Sequence, residues 1–236
     1  MHSLQSKTTN KMHISKLTRL LLLQSAVGFG LVLLRPVLAG YGPGENFGVA
    51  QLASQRMPPY LFLPWNLFLA WVPYAFAHQL LPGRGFPAAN GALLVLWLLF
   101  FPNAPYIITD FLHLRPRPPI PVWYDTLMLF SFAWTGLLLG FCSLMEVQAF
   151  AEHQWNKKWA QLGAALAILL GSFGVYMGRF LRWNSWDAFI RPLDVLYSVM
   201  QLAYDPKLNL GSVLVMAAML GLGYATFLQI AKKQLS

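Results

Sequence analysis

Long apolar runs, separated by short polar or proline-rich stretches, dominate the chain. About 20 apolar residues in a helix cross the hydrocarbon core of a bilayer. The runs predict six spanning helices, at residues 17–39, 60–81, 88–101, 124–150, 159–183 and 210–230. We therefore predict an all-α integral membrane bundle over residues 17–236, preceded by a basic, disordered tail at residues 1–16.

The third apolar run, residues 88–101, is too short to cross a bilayer as a simple helix. Pro102 and Pro105 follow it at once. Proline removes a backbone donor and clashes with the preceding turn, but it suits the first position of a new helical turn. We therefore predict a helix that breaks between Pro102 and Pro105.

Residues 186–205 have a different pattern, with polar side chains on one helical face and apolar ones on the other. Such amphipathic segments are typical of helices that lie in the membrane interface. This stretch predicts one interfacial helix, with its regular part starting at Pro192.

Composition supports the membrane assignment. Of the 236 residues, 57% are hydrophobic and 11% are charged, whereas soluble domains carry about 25% charged residues. The net charge of +9 does not indicate a nucleic-acid partner, because the bases stand at segment ends, as topology and snorkelling require. Cys142 is the single cysteine, so an intramolecular disulfide is impossible.

The distribution of basic residues favours cytoplasmic termini. That orientation places nine bases on the cytoplasmic side and eight on the other. Because this difference is small, the assignment depends on the basic tail and the short basic inner loops. A cleaved signal peptide at residues 17–39 is the alternative, but Arg35 and Pro36 fit poorly next to a cleavage site.

Polar residues gather at the predicted outer ends of helices two to five. The spacing predicts one shared helical face for Asn103, Tyr106, Asp110 and His113. Polar groups at membrane depth are energetically costly, so they usually have a function. The full predicted cluster is Asn66, Asn103, Tyr106, Asp110, His113, Tyr124, Asp125, Arg179, Arg182, Asn184 and Asp187.

Several chemistries fit this cluster. Asp110 and His113, one turn apart, suit a hydrogen-bonded acid–base pair and are the candidate catalytic residues. Arg179 and Arg182 suit an anionic group. The remaining candidates for ligand binding are Asn66, Asn103, Tyr106, Asp125, Asn184 and Asp187.

Other features limit these interpretations. One histidine with carboxylates is a nonspecific metal signal, so no metal site is predicted and the cofactor is left unknown. Alternatively, the charged side chains only pair with one another and fasten the outer ends of the bundle: Asp110, Asp125, Asp187, Arg179 and Arg182.

The segments FPNAPYIITDFLHL, VWYD and LLLGSFGVYMGRFLRWNSWD resemble an uncharacterised family of multi-pass bacterial membrane proteins, domain of unknown function 1361. The resemblance covers roughly residues 65–187. It implies a bacterial cytoplasmic membrane location and no established activity.

The leading functional hypothesis is binding, and possible processing, of an anionic lipid headgroup or similar amphiphile at an outward-facing polar site. A small transporter using the broken third helix is one alternative. A structural or assembly factor of a membrane complex is the other. The expected partners are the lipid bilayer and this amphiphile, and the sequence identifies no protein partner.

Overall fold

A computed structural model of the chain describes residues 2–39, 60–81, 83, 87–204 and 210–233, with side chains described from Lys16 onward except at 202–204 and 232. Residues 40–58, which the glycine and proline content predicts to be a loop, lie outside the described residues, as do Arg84, Asp205 and Lys207. The described backbone is almost entirely helical, and its only bridge of β type is an isolated one between Arg117 and Ile120.

The helices follow the predicted order. They are α1 (His2–Leu38), α2 (Phe62–His78), α3 (Ala88–Phe100), α4 (Asn103–Tyr106), a 3₁₀ helix (Ile107–His113), α5 (Val122–Gln154), α6 (Lys157–Phe180), α7 (Asp187–Ile190), α8 (Pro192–Tyr204) and α9 (Leu210–Lys233). The all-α prediction is confirmed, and the predicted amphipathic segment is helical from Pro192. Its position in the membrane interface stays a prediction.

Five helical segments are long and apolar enough to cross a membrane. They are Lys16–Leu38, Ala88–His113, Val122–Gln154, Lys157–Phe180 and Leu210–Ala231. The predicted second span is the 17-residue α2, which at 1.5 Å per residue is about 25 Å long, a little under the hydrocarbon thickness of about 30 Å. The chain is thus a multi-pass membrane protein, and the sixth crossing stays a prediction.

The surface of the bundle is apolar where lipid would surround it. Leu33 on α1 is 73% exposed, and Leu222 on α9 is also 73% exposed. Exposed leucines on long helices are unfavourable in water and favourable in hydrocarbon. The exposed faces therefore fit a membrane environment.

The first helix corrects one detail of the sequence analysis. It begins at His2, so residues 2–16 continue the helix, whereas a disordered tail was predicted there. No glycine or proline occurs before Gly28. No helix-breaking residue therefore stops α1 from extending toward the N-terminus.

Helix α5 is the central element of the bundle. It packs against α1, α2, α4, the 3₁₀ helix and α6. Its buried residues include Met128 and Phe132, and Cys142 is buried inside it as a small hydrophobe. The short connection between α2 and α3 places these two helices side by side, as the sequence predicted.

The segment after α3 loses α-helical regularity, but the predicted position of the break is wrong, because Asn103–Tyr106 is helical. The Ala104 N–H donates to the Phe101 carbonyl at 3.2 Å, a three-residue spacing, and residues Ile107–His113 form a 3₁₀ helix. The interruption begins at Phe101, just before the two prolines. Phe101 and Pro102 keep right-handed helical backbone angles, so the chain tightens there and does not unwind.

Two glycines let this broken segment fit between α5 and α6. A Cβ on Gly136 of α5 would lie 2.8 Å from the Ala104 carbonyl oxygen, and one on Gly174 of α6 would collide with the Pro102 ring. Small residues at such positions allow helices to approach closely in membranes. These two glycines therefore let α5 and α6 pack closely against the segment that carries Asp110.

Candidate functional site

The 3₁₀ helix aligns the two candidate catalytic residues. In a 3₁₀ helix, side chains at i and i+3 eclipse one another, so Asp110 and His113 lie in one column. Arg179, near the end of α6, contacts both. Its Nη2 donates to Asp110 Oδ1, and its Nη1 lies 3.0 Å from His113 Nε2.

This geometry replaces the predicted direct bond between Asp110 and His113. Among the described contacts, the two side chains meet through Arg179. A guanidinium has no acceptor, so His113 Nε2 accepts the bond and the ring proton lies on Nδ1. The imidazole also packs on Phe62, with ring centroids 5.0 Å apart.

Two further contacts fix the Arg179 side chain. Its Nε donates to Thr109 Oγ1 at 2.8 Å, and its guanidinium carbon lies 4.5 Å from the centroid of the Tyr106 ring. Thr109 in turn donates to the Tyr106 carbonyl at 2.6 Å. The arginine is therefore held by a carboxylate, a hydroxyl, an imidazole and an aromatic face, and only 11% of its side chain is exposed.

Asp110 connects this network to α2. Its second oxygen, Oδ2, accepts a bond from Asn66 Nδ2 at 2.8 Å, and the residue is 1% exposed. A buried carboxylate is tolerated when it is paired and hydrogen-bonded. The pair of Asp110 and Arg179 is thus charge-neutral and joins α2, the 3₁₀ helix and α6.

A cavity of about 620 Å³ lies directly beside this network. Asn66 and Tyr106, which Asp110 and Arg179 hold, form part of its wall. The lining residues come from α2, α3, α4, α6, the segment after α6, α7 and α8: Trp65, Asn66, Leu69, Val95, Leu98, Leu99, Pro102, Asn103, Tyr106, Leu170, Phe173, Gly174, Met177, Gly178, Trp183, Asn184, Ser185, Ala188, Phe189, Val195 and Val199.

The polar side chains of the cavity wall lie near one another, whereas apolar residues line the cavity throughout. The polar side chains are Asn66, Asn103, Tyr106, Asn184 and Ser185. They belong to the same end of the bundle as Asp110, whereas the leucines of α3 precede Asn103 by about one helical turn. The cavity is mostly apolar and carries its hydrogen-bonding groups toward one end.

The segment after α6 is tied to the broken helix by an amide. Asn103 Nδ2 donates to the Phe100 carbonyl and to Ser185 Oγ, each at 2.9 Å. Ser185 resembles a helix cap in the sequence, and the sequence analysis assigned it no part in the site. It joins two parts of the cavity wall that are 82 positions apart.

Asp187 organises the same segment without lining the cavity. It is 5% exposed, and its Oδ2 accepts from the Asn184 backbone N–H at 2.8 Å. This backbone bond, with help from Arg191, holds the pKa of the Asp187 carboxyl below its usual range. Asp187 thereby fixes Asn184, which does line the cavity.

Asp125 is paired differently from the prediction. Arg35 on α1 donates two hydrogen bonds to its carboxylate, from Nε to Oδ1 at 2.7 Å and from Nη2 to Oδ2 at 2.9 Å. Its predicted pairing with Arg179 or Arg182 is therefore wrong. Asp125 does not cap α5, which begins at Val122 and has no side-chain cap.

Arg182 stands apart from both ion pairs. It has a positive φ of 60°, the left-handed conformation that commonly ends helices. There the chain reverses, and the Trp183 N–H donates back to the Met177 carbonyl at 3.3 Å. Arg182 is exposed and contacts no acid among the described residues, so the two predicted anion ligands, Arg179 and Arg182, do not converge.

Tyr60 lies between the two ion pairs. Its ring is 5.2 Å from the Arg35 guanidinium and 4.8 Å from that of Arg117, and its hydroxyl donates to the His113 carbonyl at 3.3 Å. Tyr124, another member of the predicted cluster, donates to the Leu31 carbonyl at 2.6 Å and belongs to the Arg35 side.

No three His, Cys, Asp or Glu side chains come together as metal ligands within the described part of the chain.

Three residues that take part in the ion pairs and the cavity wall were missed by the sequence analysis: Arg35, Thr109 and Ser185. A basic residue near the end of an apolar run was the available signal for Arg35.

Comparison with known proteins gives one family. The model of the family described as "Protein of unknown function (DUF1361)" matches residues 65–222, which include α3 to α8 and all of the cavity lining. No curated protein and no solved structure matches the chain.

Proposed function

Because this chain belongs to the DUF1361 family, a family of unknown function, membership assigns no activity, and we propose from the site geometry that the protein binds an amphiphile. The observation that carries this proposal is the cavity. It is mostly apolar and has amide and hydroxyl groups at one end. A molecule with an apolar chain and a small polar head matches that arrangement.

The dimensions of the cavity support such a ligand. Pockets for small molecules and cofactors usually enclose about 300–1,000 Å³, and this one encloses about 620 Å³. Its lining on α6 runs from Leu170 to Gly178, which at 1.5 Å per residue is about 12 Å along the helix. That length suits part of an acyl or isoprenoid chain.

The rim of the cavity favours entry from the bilayer. Trp65 on α2 is 54% exposed, Val95 on α3 is 66% exposed, and Phe189 on α7 is 60% exposed, and all three line the cavity. Apolar side chains exposed on membrane helices face lipid. An amphiphile can therefore reach the cavity laterally without crossing water.

In this proposal, the pair of Asp110 and Arg179 positions the polar end of the site. It holds Asn66 by a hydrogen bond and Tyr106 by ring stacking. An acid–base role for Asp110 and His113 stays a prediction. Recognition of an anionic headgroup has less support than binding of the amphiphile itself, since Arg179 is committed to Asp110 and Arg182 does not line the cavity.

Native mass spectrometry of the full chain, purified in a mild detergent, tests the proposal. We expect the wild-type protein to retain a bound amphiphile. A Leu99→Trp variant, which adds an indole to the cavity wall, should lose it. Leu214→Trp on α9 is the matched control, because Leu214 is 59% exposed and lies outside the cavity.

Two results would contradict the proposal. One is a wild-type protein that carries no amphiphile at any detergent concentration at which it stays folded. The other is Leu99→Trp retaining as much amphiphile as Leu214→Trp.

A further inference from the structure

The polar end of the cavity carries no formal charge. Its polar lining consists of three asparagines, one tyrosine and one serine, and no charged side chain of the described residues lines the cavity. Two ion pairs adjoin the lining, Asp110 with Arg179 and Asp187 with Arg191, and the two charges of each pair neutralise one another. A charged head placed here would meet no unpaired counterion among the described lining residues, and burying an unpaired charge is unfavourable.

The surrounding bonds also fix the orientation of two lining amides. Asn66 Nδ2 faces the Asp110 carboxylate, and Asn103 Nδ2 faces the Phe100 carbonyl. A carboxylate and a carbonyl can only accept hydrogen bonds. Both hydrogens of Asn103 Nδ2 and one of the two on Asn66 Nδ2 are therefore committed, and each Oδ1, which bonds to nothing among the described residues, remains as an acceptor.

Hydroxyl groups complete the set of available partners. Ser185 Oγ accepts from Asn103 and so keeps its own hydrogen for donation. Tyr106 lines the cavity, and its hydroxyl bonds to no described residue. The site thus offers amide oxygens that need donors, beside hydroxyls that can serve as donors or acceptors.

From this chemistry we infer that the ligand's head is uncharged and carries at least one hydroxyl or N–H donor, as in a monoacylglycerol or a long-chain alcohol. A phosphate monoester offers almost only acceptors at neutral pH and would face the two amide oxygens without a cation. This inference rests on the proposed amphiphile binding and narrows it to a class of head.

A matched pair of probes tests the inference on the wild-type chain. Monoacylglycerol and lysophosphatidic acid, each with the same diazirine-bearing acyl chain, differ only by a phosphate in place of a hydroxyl. The purified full-length protein is irradiated with each probe in detergent, and peptide mass spectrometry measures labelling of cavity residues such as Leu98 and Phe173. We expect at least about tenfold more labelling by monoacylglycerol, equivalent to about 1.4 kcal/mol.

The outcomes separate the inference from the proposed function. Equal labelling, or stronger labelling by lysophosphatidic acid, overturns the inference and leaves amphiphile binding standing. No labelling of the cavity by either probe overturns both.

A variant pair locates the effect. Asn103→Leu removes one amide oxygen from the site and should reduce the preference for monoacylglycerol several-fold. Gln229→Leu should leave the preference unchanged, since Gln229 is an exposed residue that lines a different cavity. An unchanged preference in a folded Asn103→Leu protein would contradict the assigned role of that amide.

Discussion

Two buried ion pairs near the same end of the bundle differ in what surrounds them. Arg35 and Asp125 form a two-bond pair between α1 and α5, and neither residue lines the cavity. Arg179 and Asp110 form a pair whose other partners, Tyr106 and Asn66, do line it. Both pairs are buried and both are charge-neutral, so the residues around each pair decide whether it can influence a ligand.

A buried pair holds its helices together regardless of function, because removing one partner leaves the other charge uncompensated. The Arg35 pair should therefore affect stability alone. The Arg179 pair should affect both stability and the shape of the cavity wall. Variants can separate these effects.

The largest effect is expected for Arg179→Leu. It leaves Asp110 buried without its cation and also removes the contacts with Thr109, His113 and Tyr106. We expect a loss of about 3–5 kcal/mol in the free energy of unfolding, at the upper end of that range, together with loss of the bound amphiphile. Denaturant titration in micelles and native mass spectrometry measure the two quantities.

Arg182→Gln is the control for that variant, because Arg182 is exposed and contacts no described acid. Its free energy of unfolding should stay within about 0.5 kcal/mol of the wild type. A destabilisation as large as that of Arg179→Leu would show that the local helix end matters more than the ion pair.

Arg35→Leu should come next, with a loss of about 3–5 kcal/mol and no change in the amphiphile retained per folded molecule. The double variant Arg35→Leu, Asp125→Leu should recover part of the stability, since it removes both charges. If the Arg35→Leu protein also lost the bound amphiphile at a denaturant concentration at which it is folded, the proposed difference between the two pairs would be wrong.

The packing that seats the Asp110 segment gives a smaller effect. Gly136→Val forces side-chain atoms against Ala104 and Ile107, and overpacking of this kind costs about 1–3 kcal/mol. Gly163→Ala is the control, because nothing lies within 4 Å of its added Cβ, and alanine should stabilise α6 by up to about 1 kcal/mol. Equal behaviour of the two variants in denaturant titration would contradict close packing of the broken segment.

The smallest effect is expected at Asp187, which has an exposed arginine partner. Its pKa is lower in the folded protein, so the carboxylate stabilises the fold above the unfolded pKa of about 3.9 and loses that contribution as the pH falls through the folded pKa. Asp187→Asn should cost at most about 1 kcal/mol at pH 7. The difference in melting temperature from the wild type should shrink toward pH 3, and a constant difference would contradict the assignment.

The sequence predicted the all-α fold, the broken third segment and the amphipathic helix, because hydrophobic period and proline placement are local properties. It also predicted that Asn66, Asn103 and Tyr106 belong together. The partner of Asp125 could not be predicted, since Arg35 lies 90 positions away and any base at that depth was a candidate. The cavity depends on side-chain packing among helices, which a single sequence does not specify.

The 3₁₀ helix also changes how far the chain reaches. Its residues rise about 2.0 Å each, compared with about 1.5 Å in an α-helix. Over the seven residues of Ile107–His113, the gain is about 3.5 Å, enough to matter where mismatch with the bilayer costs a fraction of a kcal/mol per ångström. The 3₁₀ geometry therefore lengthens the candidate span Ala88–His113 and at the same time aligns Asp110 and His113 under Arg179.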